Sequence, residues 1–574
     1  MMHLKYLDIL KKNIGLRKTV RGDIFKVAVL SNIICHQINE MIEFSLRSHG
    51  VNASVTQCNY DNIIQEVEKY AHFDAVIIFW EASNVTDGLY YRINLLNEHD
   101  VEELTDKTIG EINYVIDSLK NTPLVIFNKF SSTIFNYHFQ KENNFDIFCN
   151  SINHHLKNNI STNIKIINLE NILSDISIKA AVDMRYFYSS KALYTIEFYK
   201  HYVEHITPIL LSTVGKTKKA LIFDCDNTLW KGILGEEEFD GIKMSANDKD
   251  GLPYHEVQNL ALALSKKGVI VGLCSKNNSE DVEQVLLHHR DMVLSEKDIT
   301  IKKVNWLDKA TNLKEIANEL NIGTDSIVYV DDSDFETNFI KSMMPEITVI
   351  KVPEKKHEYP SLIRNAFKYF YSSGETKEDY NKAEMYRHEY LRAKEKNSFS
   401  SIEEYLQSLN LNLSVYMNDL SITQRMAQLT QKTNQFNLTT KRYTETQIKN
   451  LITSNHHLIL AINAKDRFGD SGITALSIIH LSKETAEIDT FLMSCRILGR
   501  NIEFKFFDLI IEQIKKLEIP QIKASYIKTI KNQQVEYFYE NIGFSITNRT
   551  GNAKHYVLEI DNYITKNIDY IETN

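Results

Sequence analysis

Long apolar runs are missing from this sequence. No window of its 574 residues approaches the roughly 18 apolar side chains of a membrane-crossing helix. The opening stretch, MMHLKYLDILKKNIGLRKTV, has no apolar core of signal-peptide length. No membrane association is expected. Cysteine is scarce, with six residues at positions 35, 58, 149, 225, 274 and 495 and no CxxC pair. That excludes a disulfide framework and fits a reduced, cytoplasmic protein. A basic excess is lacking as well: the net charge is −9, so there is no electrostatic footprint for nucleic acid. The small clusters Lys216–Lys219 and Lys355–Lys356 read as solvated surface. Internal repeats and low-complexity tracts are also absent.

What the sequence does have is alternation. Its length gives a prior of about three or four domains. From about Phe25 to Leu210, the apolar runs FKVAVLS, AVIIFW, PLVIF and NIKIIN alternate with longer amphipathic stretches, the rhythm of a parallel α/β sheet. From Ala220 to about Tyr371 the rhythm repeats with ALIFD, GVIVGLCS, SIVYVDD and EITVIKV. TKEDYNKAEMYRHEYLRAKEK, Thr376 to Lys396, is charged and helix-prone and reads as a connector. From about Leu411 to Tyr563, the strand runs HHLILAINA, ITALSIIH and AEIDTFLMS mix with a long helical pattern after Gly499. The expected fold class is multidomain α/β, divided at 1–212, 217–372, 373–410 and 411–574.

Open parallel sheets place ligands at the carboxyl ends of their strands. In the middle segment three strand ends carry suitable groups. LIFDCDNTLWKG brings Asp224, Asp226 and Thr228; LCSKN brings Ser275, Lys276 and Asn277; VYVDD brings Asp331 and Asp332, with Lys309 opening the helical stretch before it. This set resembles the haloacid dehalogenase (HAD) superfamily, whose DxDxT, Ser/Thr, Lys and DD motifs occur in that order. The resemblance implies a Rossmannoid phosphoryl-transfer domain. By that resemblance Asp224 would be the nucleophile that forms an aspartyl-phosphate, and Asp226 the general acid and base. Thr228, Ser275, Lys276, Asn277 and Lys309 would hold the phosphoryl group. Mg²⁺ would be bound by Asp224, Asp331 and Asp226, the last through its carbonyl; Asp332 is either a ligand or a helix cap.

A narrower resemblance is carried by DCDNTLWKGILGE, VGLCSKN, KKVNWLDKATNLKEIANELNIGTDSIVYVDD, AEMYRHE, RMAQLTQKTNQFNLTTKRY, DRFGDSGI and SCRILGRNIE. These phrases look like the FkbH-like family. Its members take a glyceryl group from 1,3-bisphosphoglycerate and load it onto an acyl carrier protein for polyketide-type biosynthesis. Two positions depart from the family pattern: Lys231 stands where Gly is common, and Ser333-Asp334 where Asn-Pro is common. The alternative is a Mg²⁺-dependent small-molecule phosphatase without acyl transfer.

Two thiols are open as acyl carriers. Cys225 lies between the two aspartates, and strand alternation turns it away if both of them face the site. Cys495 lies in LMSCRILGR, which resembles the pyrophosphate loop of GNAT-type acyltransferases; Arg496, Gly499 and Arg500 would then meet the carrier's pantetheine arm, and the loop's N–H groups would lower a thiol pKa. The first segment resembles SGNH-type hydrolases with the chemistry lost. Its first strand ends VLSN rather than GDS, and Tyr186 stands where DxxH needs histidine. Ser31 is therefore a poor nucleophile, and this domain is expected to be a scaffold or a carrier-protein docking surface.

Overall fold

The computed structural model describes residues 1–136, 142–371, 382–396, 399–529 and 531–574. Two compact units are present: Met1–Val214 with Tyr443–Gln447, and Gly215–Arg442 with Ile448–Asn574. Apart from Tyr443–Gln447, the described residues of the three later pieces expected from the sequence fall within one unit. The start of the expected connector, 373–381, lies outside the described residues.

In the first unit, β1 (Phe25–Ser31), β2 (Ala53–Gln57), β3 (Ala75–Phe79), β4 (Leu124–Asn128) and β5 (Ile164–Ile167) form a parallel sheet in the order β2-β1-β3-β4-β5. β3 and β4 are buried along their whole length, which is why they read as unbroken apolar runs. The order reverses between β1 and β3, the place where such sheets take ligands. Here the chain seals it. Asn32 Nδ2 donates to Glu81 O at 2.9 Å, Glu81 N donates back to Asn32 Oδ1 at 2.7 Å, and Asn84 Nδ2 donates to Asn32 O at 2.5 Å. Ser31 is buried with its hydroxyl accepting from Ile33 N at 3.1 Å, while Tyr186 is on the surface.

In the second unit, β6 (Ala220–Phe223), β7 (Ile270–Ser275), β8 (Ile301–Val304), β9 (Ile327–Asp331) and β10 (Thr348–Lys351) form another parallel sheet, in the order β10-β9-β6-β7-β8. The reversal falls between β6 and β9, so Asp224 and Asp331 leave the sheet side by side.

The same unit holds a larger mixed sheet built from β11 (Leu411–Met417), β12 (Phe436–Asn437), β13 (His457–Asp466), β14 (Gly469–Leu481), β15 (Thr485–Met493), β16 (Gln521–Ile527), β17 (Ser545–Thr550), β18 (Ala553–Glu559) and β19 (Ile571–Thr573). β15 and β16 run parallel but pair only from Thr485–Gln521 to Ile488–Ala524. Beyond that they part, and β12 fills the gap. Phe436 pairs with Met493, Asn437 with Leu492, and Ile527 N donates to Leu438 O at 2.8 Å. KTNQFNLTT thus carries a short inserted strand at Phe436–Asn437.

The helix Lys382–Lys396 looks solvated in sequence, yet it buries one face. Tyr386 joins the apolar core beneath the second sheet. Arg392, only 3% exposed, donates through Nε and Nη2 to both Asp466 oxygens at 2.7 and 2.8 Å. Arg500 reaches Asp466 at 3.2 Å and Glu389 at 2.5 Å. These four charges satisfy one another, which is what lets a charged helix be buried.

Candidate active site

β6 ends at Phe223, and Asp224 N extends its ladder by donating to Val330 O at 2.9 Å. The chain then turns tightly. Asn227 has φ 50°, and its Oδ1 accepts from Gly232 N at 3.0 Å, with Gly232 itself at φ 105°. This loop aims Asp224 at the end of β9. Lys309 Nζ lies 3.1 Å from Asp224 Oδ1 and 2.6 Å from Asp331 Oδ2, and Tyr329 also donates to Asp331 Oδ2. Ser275, buried at the end of β7, lies beside Asp224 as well.

Carboxylate oxygens of Asp224, Asp331 and Asp332 all lie within 4.8 Å of one another. The helix after them, Asp334–Met343, is capped by Ser333, whose Oγ accepts from Glu336 N at 3.3 Å. Asp332 is therefore not the cap. Burial raises the Asp224 carboxyl pKa; Lys309 opposes the rise, and Asp331 adds to it. Burial works against the Lys309 ammonium, but the two carboxylates outweigh it and raise its pKa. One ammonium cannot neutralise three carboxylates. An all-oxygen donor set with surplus negative charge suits a hard divalent cation such as Mg²⁺.

Asp226 is held differently. Its Oδ1 accepts from Trp230 Nε1 at 2.9 Å and Leu234 N at 3.0 Å, and its Oδ2 accepts from Asn277 Nδ2 at 2.9 Å. Burial pushes its carboxyl up, with these donors pulling back. A raised carboxyl pKa is what a general acid needs. The side chain of Asp226 is thus no metal ligand, and only its carbonyl remains for that role.

Asn277, expected at the phosphoryl group, donates to Asp226 in this structure. Lys276 pairs with Glu336 at 2.7 Å. Thr228 is fully buried, its hydroxyl makes no hydrogen bond, and its carbonyl accepts from Tyr359 at 3.1 Å. Lys231 is tied to Asp250 at 2.6 Å.

Cys225 is 0% exposed and packs with Leu221 and Phe223. Burial, and next the Asp224 charge, push its thiol far above the usual range. Burial of this kind disfavours the thiolate. Cys225→Ala should therefore retain phosphate release, at a stability cost of about 1 kcal/mol. Phosphate assays and thermal melts of the purified variant check both.

Arg496 and Arg500 are also corrected. Both are buried and turned toward the helix Lys382–Lys396: Arg496 Nη1 approaches Met385 Sδ at 2.5 Å, and Arg500 is held by Asp466 and Glu389. Neither is available to a pantetheine arm. Gly499 is exposed in a left-handed turn at φ 77°. Cys495 is partly exposed, and its carbonyl accepts from Asn321 Nδ2 at 2.5 Å. It also interacts with Lys219, which precedes β6. Asn321, which holds Cys495, lies past the far end of the helix Lys309–Glu319, whose first residue enters the carboxylate cluster.

Sequence reasoning missed Trp230 and Tyr329. Trp230 was within reach, since it follows Asp226 by four residues in a short loop; nothing in the sequence marks Tyr329.

No protein-family model and no curated protein matches the chain. Among solved structures, the N-terminal part of the protein BF1531 from Bacteroides fragilis, containing a phosphatase domain and complexed with Mg, is similar in fold. The match has 23% identity and a TM-score of 0.56, over 65% of this chain and 100% of that one. The ribosomal-protein-S18-alanine N-acetyltransferase from Escherichia coli aligns with 27% of this chain and 98% of its own at 11% identity, TM-score 0.21. The PaiA N-acetyltransferase from Thermoplasma acidophilum, in complex with coenzyme A, aligns with 20% of this chain and 71% of its own at 16% identity, TM-score 0.18.

Proposed function

We propose that the chain is a Mg²⁺-dependent phosphate-ester hydrolase of the HAD type that also transfers a glyceryl group from 1,3-bisphosphoglycerate to the pantetheine thiol of an acyl carrier protein. The observation that carries the hydrolase is the carboxylate cluster of Asp224, Asp331 and Asp332, with Lys309 bridging two of its members. The fold shared with a Mg-bound phosphatase domain supports it.

In this reading an Asp224 oxygen attacks phosphorus and the ester P–O bond breaks. Asp226 gives its proton to the departing alkoxide. Asp226 then takes a proton from the water that attacks the aspartyl-phosphate, which frees phosphate and regenerates Asp224. Lys309 balances charge on the phosphoryl oxygens. Bound by Asp224, Asp331, Asp332 and the Asp226 carbonyl, Mg²⁺ would neutralise the carboxylates enough for an anion to approach an anion.

The transfer half rests on the FkbH-like phrases and on Cys495, the only cysteine among the described residues that is not buried. Its thiolate would attack C1 of the acyl phosphate, the C–O bond to phosphate would break, and the resulting thioester would pass to the carrier thiol. The large mixed sheet is read as GNAT-like. The first unit is read as SGNH-like and non-catalytic, which its sealed crevice supports. The placement of Cys495 at Asn321, past the end of the helix Lys309–Glu319 away from Lys309, favours one second reading, hydrolysis without transfer.

Metal removal tests the hydrolase. Chelator-treated protein should release phosphate from a phosphate monoester at background rate, and Mg²⁺ should restore release. Undiminished release in chelator would contradict the assignment.

A further inference from the structure

The lysines around the carboxylate cluster differ in one respect. Lys309 is paired with Asp224 and Asp331, Lys276 with Glu336, and Lys231 with Asp250. Among the described residues, Lys356 has no such carboxylate partner. It lies in the segment after β10, which is strapped at both ends to the catalytic loops. Val352 N donates to Asp331 O at 2.9 Å, and the hydroxyl of buried Tyr359 donates to Thr228 O at 3.1 Å. Lys355, His357 and Glu358 are exposed, but Lys356 is half-buried. Its side chain interacts with Asp332, with Lys351 and Glu354 as its other charged neighbours. The expectation of a solvated basic pair is thus wrong for Lys356.

Lys356 is half-buried near Asp332 and Glu354, yet among the described residues its ammonium closes no ion pair with either, which leaves it able to take an anion. Lys309 is already committed to the reacting phosphoryl group. We infer that Lys356 receives a second anionic group of the substrate, so that the site selects short phosphate esters carrying a carboxylate or a further phosphate at the other end. This deepens the hydrolase reading of the Asp224 site and rests on it. It also suits a three-carbon donor with an ester phosphate at one end and an acyl phosphate at the other.

The test is a binding comparison on full-length protein in which Asp224→Asn prevents turnover. With Mg²⁺ present, calorimetric titration should show 3-phosphoglycerate binding about tenfold more tightly than glycerol 3-phosphate, the worth of one charge-assisted hydrogen bond. Adding Lys356→Met should bring that ratio close to one, and Lys356→Arg should keep most of it. Thermal melts check that each variant is folded. Equal affinities with Lys356 intact, or a ratio that survives Lys356→Met, would overturn the inference. Phosphate release from the two esters by protein with Asp224 intact reads the hydrolase separately. A preserved binding ratio without release would sink the hydrolase and leave the Lys356 assignment standing.

Discussion

Asp224→Asn should cut phosphate release by about three orders of magnitude or more, the usual scale for loss of a covalent nucleophile. An amide can neither attack phosphorus nor carry the phosphoryl group. No second carboxylate can substitute. Asp331 is tied to Lys309, Tyr329 and Ser333 N, and Asp226 is held by Trp230, Leu234 N and Asn277. Folding should survive, because removing one of three crowded carboxylates relieves repulsion. A coupled phosphate assay at saturating Mg²⁺ reads the effect, and release within tenfold of the unaltered chain would contradict the assignment of the nucleophile.

Asp466→Ala should destabilise the second unit by about 3–5 kcal/mol, the cost of leaving buried charge uncompensated. Asp466 is the shared partner of Arg392 and Arg500, and all three residues are buried. Glu389 Oε2 already meets both guanidiniums, at 3.1 Å from Arg392 and 2.5 Å from Arg500, and its single charge cannot balance two. Denaturant unfolding of the full-length chain, followed by a probe in the second unit, should show the midpoint fall. Arg392→Met added to Asp466→Ala should recover part of the loss by removing the orphaned charge. A loss under about 1 kcal/mol, typical of exposed ion pairs, would mean that solvent reaches this network.

The parts of this chain legible in sequence are those set by local rules. Both parallel sheets were visible because strands buried on both faces are continuous apolar runs. Asp224, Ser275 and Asp331 are placed by strand ends and Lys309 by the start of a helix, and alternation turns Cys225 toward the apolar core with Leu221 and Phe223. What escaped depends on partners distant in sequence. Arg500 resembled a ligand contact because its partners, Glu389 and Asp466, come from other elements. Lys356 looked solvated because its direction is set by tethers at Val352 and Tyr359, each reaching a different catalytic loop. The strand at Phe436 was invisible because the gap it fills exists only after β15 and β16 part.

The claim that joins the two halves is that phosphate release accompanies loading of a carrier. Intact-mass analysis of a purified, pantetheine-bearing acyl carrier protein tests it most directly, after incubation with this chain, Mg²⁺ and 1,3-bisphosphoglycerate. The predicted result is a carrier heavier by one glyceryl group without phosphate, restored to its starting mass by hydroxylamine. Release of phosphate while the carrier's mass stays unchanged would contradict it and leave a hydrolase alone.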